Sequence, residues 1–279
     1  QMFHKKSIYL LLIGIAFLGG LVIANYKIAP YNLLYEIKNR IIYSTKKTTY
    51  EDSRLAIKPM EKNVVDACQK PTKNTTYSFF VAGHTYGDPN DYDRINGGIY
   101  PTFIKRFHKI NRCESMIYGF FLGDIVRESS YKSFKLVKSD LQLINPKIST
   151  YIVPGNHDVG IGKNNAKRDI FIQNFGKTYD NFEHGKDLFI LLDANVDNWN
   201  ILNDQLKILE NLSNNGRNYQ NVFIFTHQVI WYNENNSIFS KVKPNSWEGY
   251  YDTTNFWNEI FPVISKIGKK IYLFAGDVG

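Results

Sequence analysis

Several short polar segments of this chain carry residue types that could bind a metal ion or transfer a proton. The clearest is the tetrapeptide Gly155-Asn156-His157-Asp158, which follows the short apolar run 151–154. An amide oxygen such as that of Asn156 becomes an acceptable ligand when carboxylates stand beside a hard or borderline cation. The imidazole of His157 would then face a substrate held by that cation. The segment predicts metal-assisted chemistry if suitable partners lie elsewhere in the chain.

Such partners follow other apolar runs at the same relative position. The residues in question are His84 after 77–82, Asp124 after 116–122, His227 after 222–225 and Asp277 after 270–274. Sites in α/β folds collect at the carboxyl ends of strands, so these side chains are expected to meet. Imidazole, carboxylate and amide groups together suit Mn, Fe or Zn. The pattern predicts a divalent-metal site.

The elements that must position these residues alternate along the chain. Strands are predicted at 77–82, 116–122, 150–153, 188–192, 222–225 and 270–274, and helices at 98–110, 131–144, 166–175 and 204–212. The strands are continuous apolar runs, as expected when both faces of a sheet are covered by other layers. The sequence therefore predicts an α/β protein with central sheets.

In their order along the chain, these motifs resemble those of the calcineurin-like metallophosphoesterases. That family's pattern runs Asp-x-His, Gly-Asp-x-x-Asp/Asn, Gly-Asn-His-Asp/Glu, a lone His, and Gly-His-x-His. Gly123-Asp124, the tetrapeptide 155–158 and His227 match it, whereas the first and fifth motifs depart from it. The resemblance covers residues 77–279. It implies a four-layer α/β/β/α sandwich and metal-dependent hydrolysis of a phosphorylated substrate, whose class stays open.

The resemblance also implies a role for each candidate ligand at a centre of two divalent ions. Asp124 would bridge both ions, and Asn156 and His227 would bind the second. Asp277 stands where the family has a histidine for that same ion. The family binds the first ion through the Asp and His of its first motif and the last His of its fifth. Gly279 stands at that last position here, so His84, in the first motif, is the available ligand of the first ion. A mononuclear centre is the alternative.

By the same resemblance, His157 would act as general acid beside the leaving oxygen. The family supports this histidine with a carboxylate at the position that Arg127 occupies here, so Asp158 or Glu128 would have to replace it. Arg127 would then clamp a phosphate oxygen with its guanidinium group or, alternatively, form a surface ion pair. A binding or assembly component with an impaired metal site is the alternative to an enzyme.

Composition and charge narrow the class of protein. The chain has 279 residues, of which 43% are hydrophobic, enough for one large core. Its net charge is +8, but residues 1–75 hold 12 Lys or Arg against 5 Asp or Glu, so the body is nearly neutral. The body therefore lacks the basic stripe typical of nucleic-acid binding. The sequence leaves the oligomeric state open.

The amino-terminal charge surrounds an uncharged stretch, 7–26, that is long enough for a membrane-spanning helix. We predict a transmembrane anchor at 1–29, a juxtamembrane linker at 30–75 and a metallophosphoesterase domain at 76–279, which is expected to continue beyond Gly279. A single-pass membrane protein with an extracytoplasmic domain is expected. Secretion after signal cleavage is the alternative. Cys68 and Cys113 are expected to be reduced, with a disulfide as the alternative.

Overall fold

The computed structural model describes residues 77–86, 98–110, 116–144, 148–163, 165–233, 235, 244–245 and 254–278. The predicted anchor, the predicted linker, both cysteines and Gly279 lie outside these residues. Among the described helices, none is long and apolar enough to cross a membrane.

Strands and helices alternate along the described part of the chain. The strands are β1 (Ser78–Ala82), β2 (Met116–Leu122), β3 (Ser149–Val153), β4 (Asp180–His184), β5 (Asp187–Leu191), β6 (Tyr219–Thr226) and β7 (Gly268–Ala275). The helices are α1 (Pro101–Ile110), α2 (Tyr131–Ile144), α3 (Asn156–Val159), α4 (Ala166–Phe175), α5 (Asn203–Asn214) and α6 (Phe261–Ile264), the last preceded by a π-helical turn, Phe256–Ile260.

The strands form two sheets. The first is three-stranded and parallel in the order β1-β2-β3, with Phe120 of β2 beside Val81 on one side and Tyr151 on the other. The second is four-stranded in the order β4-β5-β6-β7; its β4–β5 pair is an antiparallel hairpin and its other pairs are parallel. Parallel strands within each sheet end at the same edge, where the predicted site residues follow them.

Successive side chains of each strand point to opposite faces of its sheet, and the buried ones belong to three apolar clusters. Phe120 and Leu122 of β2 point between the sheets, where they meet Phe189 and Phe225 of the second sheet. Phe121, between them in sequence, points the other way. The opposite faces of a strand thus fill different layers, as its two-residue period requires.

Helices cover the outer face of each sheet. On the first sheet, buried side chains of α1, α2 and α4, such as Ile104, Phe134 and Phe171, belong to the same apolar cluster as Phe121. On the second sheet, α5, the π-helical turn and α6 cover the outward side chains of β5 and β6. The order of layers across these clusters is helices, sheet, sheet, helices.

The predicted α/β class is confirmed, and each predicted strand and helix in the described residues is present with small shifts at its ends. Strand β4 was not predicted. Its sequence, Asp-Asn-Phe-Glu-His, offers one apolar side chain, Phe182, which packs between the sheets, so its strand character comes from pairing with β5. The short helix α3, the π-helical turn and α6 were not predicted either.

Candidate metal centre

Two of the predicted ligands sit on an unusual backbone. His84 and Asp124 have positive φ angles of 48° and 51°, and Gly123 before Asp124 has a φ of 76°. A non-glycine residue with positive φ is uncommon and costs about 1–3 kcal/mol where the surroundings enforce it. Both bends come just after a strand, so they turn the side chains at the end of the first sheet towards each other.

Two glycines let the surrounding loops approach this bend. A Cβ atom on Gly123 would lie 2.5 Å from Nδ1 of His227, and one on Gly155 would overlap Oδ1 of Asp124. Neither contact is possible between real atoms. The glycines that precede Asp124 and Asn156 are therefore required by close packing at the centre.

Asp124 lies between two histidines. Its Oδ2 is 3.6 Å from Nδ1 of His84, and its Oδ1 is 3.5 Å from Nε2 of His227. The backbone N–H of His157 donates to Oδ1 at 3.1 Å. The side chain is almost completely buried. Each carboxylate oxygen thus faces a different histidine, which is the arrangement that a bridging carboxylate needs.

His227 is oriented by the protein behind it. Its Nδ1–H donates to the carbonyl oxygen of Leu122 at 2.8 Å, because a carbonyl can only accept. The other ring nitrogen, Nε2, then faces Oδ1 of Asn156 at 3.2 Å and Oδ1 of Asp277 at 4.0 Å. In the neutral ring Nε2 is an acceptor, and the ionised carboxylate oxygens of Asp124 and Asp277 that it faces can only accept as well. A cation between them, or a second proton on the ring, resolves this conflict.

His84 completes the group from the first sheet. Its Nε2 lies 3.5 Å from Oδ1 of Asp277. Burial alone would lower the pKa of His84, but the hydrogen bond to Asp277 and the negative charge of Asp124 outweigh burial and raise this pKa above its usual 6.5. The surroundings of the ring therefore favour positive charge.

The spacing of these atoms fits divalent metals. Nitrogen and oxygen ligands stand about 2.0–2.2 Å from Zn²⁺, so two ligands of one ion are at most roughly 4.4 Å apart. The distances from His227 to Asp124, Asn156 and Asp277 satisfy this limit. Ligand atoms of His84, His227 and Asp277 lie within 4.8 Å of one another, so after contraction by a few tenths of an ångström these three residues could also share one ion, as in the mononuclear alternative. The structure brings the predicted metal residues together.

The catalytic residues predicted from the sequence are arranged differently from the expectation. Nδ1–H of His157 donates to the backbone carbonyl of Arg127 at 2.7 Å, so a carbonyl supports this ring and not Asp158 or Glu128. Asp158 is completely buried and accepts from the N–H groups of Ile125, at 3.1 Å, Val126, at 3.2 Å, and Gly155, at 2.9 Å.

Asp158 therefore joins the loop after β2 to the loop after β3, and the Arg127 carbonyl takes the role of supporting His157 that the sequence suggested for Asp158. Burial and the charge of Asp124 raise the pKa of this carboxyl well above its usual value, while the backbone N–H groups act in the opposite sense. The arrangement satisfies the buried oxygens with backbone donors from both sides of the centre.

Two residues near the centre were missed in the sequence. Tyr86 is buried, and its ring lies 5.9 Å from that of His84 and 5.5 Å from that of His157. Burial, followed by the charge of Asp124, raises the pKa of Tyr86 to about 12. Nδ2 of Asn245 lies 3.2 Å from Nε2 of His84. Neither lies directly after a strand, so the pattern of strand ends could not identify them.

A buried polar network lies behind the loops after β3, β5 and β6. Asn195 donates from Nδ2 to the carbonyl of Pro154 at 2.8 Å and accepts from Nε2 of Gln228 at 2.6 Å. Asp193 accepts from the N–H of Asn195 at 3.0 Å and pairs with Arg168 of α4. The network connects the residues that precede Asn156 to the residue that follows His227.

Two aromatic residues shortly after His227 belong to the core. Tyr232 is buried in the cluster between the second sheet and its helices, and Trp231 packs against that cluster. Their position shortly after His227 reflects packing of the loop beneath β6.

Comparison with known proteins adds a distant likeness. No family model matches the chain, and no curated protein matches it. A purple acid phosphatase from seeds of yellow lupin (Lupinus luteus) shares 15% sequence identity, with a TM-score of 0.42. The match covers 56% of this chain and 30% of the lupin protein, so the chain spans less than a third of that protein. Likeness at this level assigns neither family nor activity to this chain.

Proposed function

We propose that this chain is a metallophosphoesterase of the calcineurin-like class, which hydrolyses phosphoester bonds at a centre of two divalent ions. The observation that supports this proposal most directly is Asp124, whose two carboxylate oxygens face His84 and His227 separately. The layered packing of helices, sheet, sheet and helices agrees with the sandwich that the sequence resemblance implies.

Different residues of the chain would bind each of the two ions. Asn156, His227 and Asp277 would hold one ion, His84 the other, and Asp124 would contact both. Bound divalent ions would lower the pKa of a water molecule and neutralise charge on the phosphoryl oxygens. Because Nδ1 of His227 is fixed on the Leu122 carbonyl, its Nε2 is already aimed at the ligand group.

His157 is the proposed general acid. Its backbone N–H bonds to Asp124 and its Nδ1 bonds to the Arg127 carbonyl, so both backbone and ring are fixed beside the metal-binding carboxylate. This leaves Nε2 as the nitrogen that can give a proton to the leaving oxygen. Proton transfer by a positioned side chain contributes about 10²–10⁴-fold to rate.

Arg127 is the proposed contact to phosphate. Its backbone already supports His157, and its side chain is half-buried in the same loop. A planar guanidinium group binds two phosphate oxygens in a forked geometry, which lysine cannot reproduce. Arg127→Lys would therefore raise KM for a phosphate ester with little loss of bound metal.

The decisive experiment measures metal content and hydrolysis together. Purified full chain is loaded with Mn²⁺ and assayed with p-nitrophenyl phosphate, and Asp124→Asn is compared with Asp204→Asn, which changes an exposed carboxylate in α5. We expect Asp124→Asn to lose bound metal and turnover, while Asp204→Asn resembles the parent.

Less than one bound metal per chain in the parent, with no hydrolysis, would contradict the enzyme proposal. That outcome would instead support the alternative role as a binding or assembly component with an impaired centre.

A further inference from the structure

Asn245 is tied to the candidate metal centre through both its backbone and its side chain. Its N–H donates to the carbonyl of Asp277 at 3.0 Å. Its side-chain amide meets the ring of His84, with 3.2 Å between Nδ2 and Nε2. A residue far from both partners in sequence thus contacts one candidate ligand by its main chain and another by its side chain.

The two histidines of the centre differ in how many oxygen ligands surround them. Nε2 of His227 has Asn156, Asp124 and Asp277 within 4.0 Å. Nε2 of His84 has Asp277 at 3.5 Å, and the amide of Asn245 stands closer still. Among the described residues, three groups therefore meet here: Nε2 of His84, the carboxylate of Asp277 and the amide of Asn245.

The amide of Asn245 can present its oxygen at the same place. The oxygen and nitrogen of an asparagine amide exchange positions by rotation of the terminal group, and the preferred orientation follows from the partners present. With a cation bound by His84 and Asp277, the oxygen is the favoured atom, because it is a ligand and the NH₂ group is not. The separation of 3.2 Å from Nε2 suits two ligands of a single ion, which lie at most roughly 4.4 Å apart.

We propose that Asn245 is a further metal ligand, whose amide oxygen binds a divalent cation together with Nε2 of His84 and the carboxylate of Asp277, which would then contact both ions of the centre. The proposal rests on the metal centre of the proposed function and extends it on the His84 side. Asn245 is exposed, whereas Asp124, His227 and Asp277 are buried, so it supplies this ligand from the open side of the centre. The His84 ion is then the one that exchanges more readily with solvent.

Titration of the metal-free full chain with Mn²⁺, followed by calorimetry and by the electron paramagnetic resonance signal of free Mn²⁺, tests this assignment. Asn245→Ala removes the oxygen, and Asn245→Asp keeps an oxygen there and adds negative charge. Asn218→Ala is the matched control, since Asn218 is an exposed asparagine just before β6, whereas His227 follows the other end of that strand.

We expect Asn245→Ala to weaken one class of Mn²⁺ site by roughly tenfold or more, since loss of even a residue that supports a ligand costs 10–100-fold. Asn245→Asp should bind at least as tightly as the parent, and Asn218→Ala should be unchanged. Equal affinity and stoichiometry in Asn245→Ala and the parent would overturn the assignment while leaving the metal centre in place.

A parent chain that binds no Mn²⁺ would overturn both proposals. Because the titration needs no turnover, a chain that binds metal without hydrolysing ester still decides the role of Asn245. Failure of the assignment and failure of the proposed hydrolysis are therefore distinguishable.

Discussion

At the scale of single residues, the candidate centre depends on which ring nitrogen of each histidine is already hydrogen-bonded to the backbone. His227 and His157 each use Nδ1 to donate to a backbone carbonyl, of Leu122 and Arg127 respectively, and so keep Nε2 for chemistry. This common arrangement fixes the ring orientation without a supporting carboxylate. The two rings nevertheless have different proposed tasks, because the Nε2 of His227 faces other ligands.

His157→Ala separates these tasks. We expect it to retain bound Mn²⁺, because the backbone N–H of residue 157 still bonds to Asp124, and to lose about 10²–10⁴-fold in kcat with the loss of proton transfer. Metal analysis and steady-state hydrolysis of p-nitrophenyl phosphate check both parts. Loss of the metal together with turnover would show that the ring is a ligand and not an acid.

At the scale of elements, the loops that follow the strands position the candidate ligands. The loop after β2 bends through positive φ at Gly123 and Asp124, and the loop after β3 reaches it through Gly155. Asp158, at the third position of α3, holds both loops through their N–H groups. The short helix and the bend therefore form one unit, in which a change of backbone at either loop displaces Asp124.

Gly155→Ala tests this close approach. Gly155 has an extended backbone that alanine adopts freely, so the added methyl acts only through its overlap with Asp124. We expect metal affinity to fall by roughly tenfold or more as the carboxylate is displaced. Metal titration measures the effect.

Gly216→Ala is the matched control for that experiment. Nothing lies within 4 Å of its added Cβ, and its positive φ of 68° costs stability without touching the site. It should lower the melting temperature but leave metal binding intact. If Gly155→Ala behaves in the same way, the glycine is not needed for packing at the centre.

Asn195→Ala tests the network behind the loops. The change leaves the buried carbonyl of Pro154 and the amide of Gln228 each without the partner that Asn195 supplied. We expect the free energy of unfolding to fall by about 1–3 kcal/mol, the typical cost of an unsatisfied buried polar group. Urea denaturation measures it, and Asn218→Ala, an exposed asparagine, should change stability far less. An unchanged midpoint would show that water replaces Asn195.

At the scale of the whole molecule, the two sheets are joined by apolar packing and by a polar contact near the start of β1. The hydroxyl of Tyr77 donates to Oδ2 of Asp187, the first residue of β5, at 2.5 Å. Phe79, two residues further on, contacts Phe120, Phe189 and Phe225 between the sheets. The contact therefore holds the two sheets together at the end opposite the candidate metal centre.

Tyr77 gives this contact a pH dependence. Burial, then the hydrogen bond to Asp187 and its charge, raise the pKa of Tyr77 above the usual 10.0. Since the folded chain holds this proton more tightly, its contribution to stability is complete below pH 10 and is lost as pH rises towards the folded-state pKa.

Stability of the parent should therefore fall more steeply above pH 10 than that of Tyr77→Phe. Denaturation in urea at a series of pH values gives the difference between the two proteins, which isolates Tyr77 from the other tyrosines. Identical slopes would contradict the raised pKa.

The predicted membrane anchor and extracytoplasmic location belong to this scale as well. They fall on residues 1–75, outside the part of the chain that the structure describes, and stay predictions. Protease accessibility of the domain in sealed vesicles, with and without detergent, would test the orientation.

The sequence by itself determined the α/β class, most strand boundaries to within one residue, and the group formed by His84, Asp124, Asn156, His227 and Asp277. It did so because buried strands are continuous apolar runs, and because parallel strands place whatever follows them at one edge. Strand β4 could not be predicted in this way, because its sequence is not an apolar run. It is a strand because it pairs with β5.

Only the tertiary structure decided how these residues are held. In the folded chain the Arg127 carbonyl supports the ring of His157, and Asp158 accepts from backbone N–H groups of a neighbouring loop. The side chain of Asn245 contacts the ring of His84. Each of these is a contact between segments distant in sequence, and two of the three depend on backbone atoms. Periodicity and residue type do not report which carbonyl or N–H will lie within hydrogen-bond distance, because that is fixed when the layers pack.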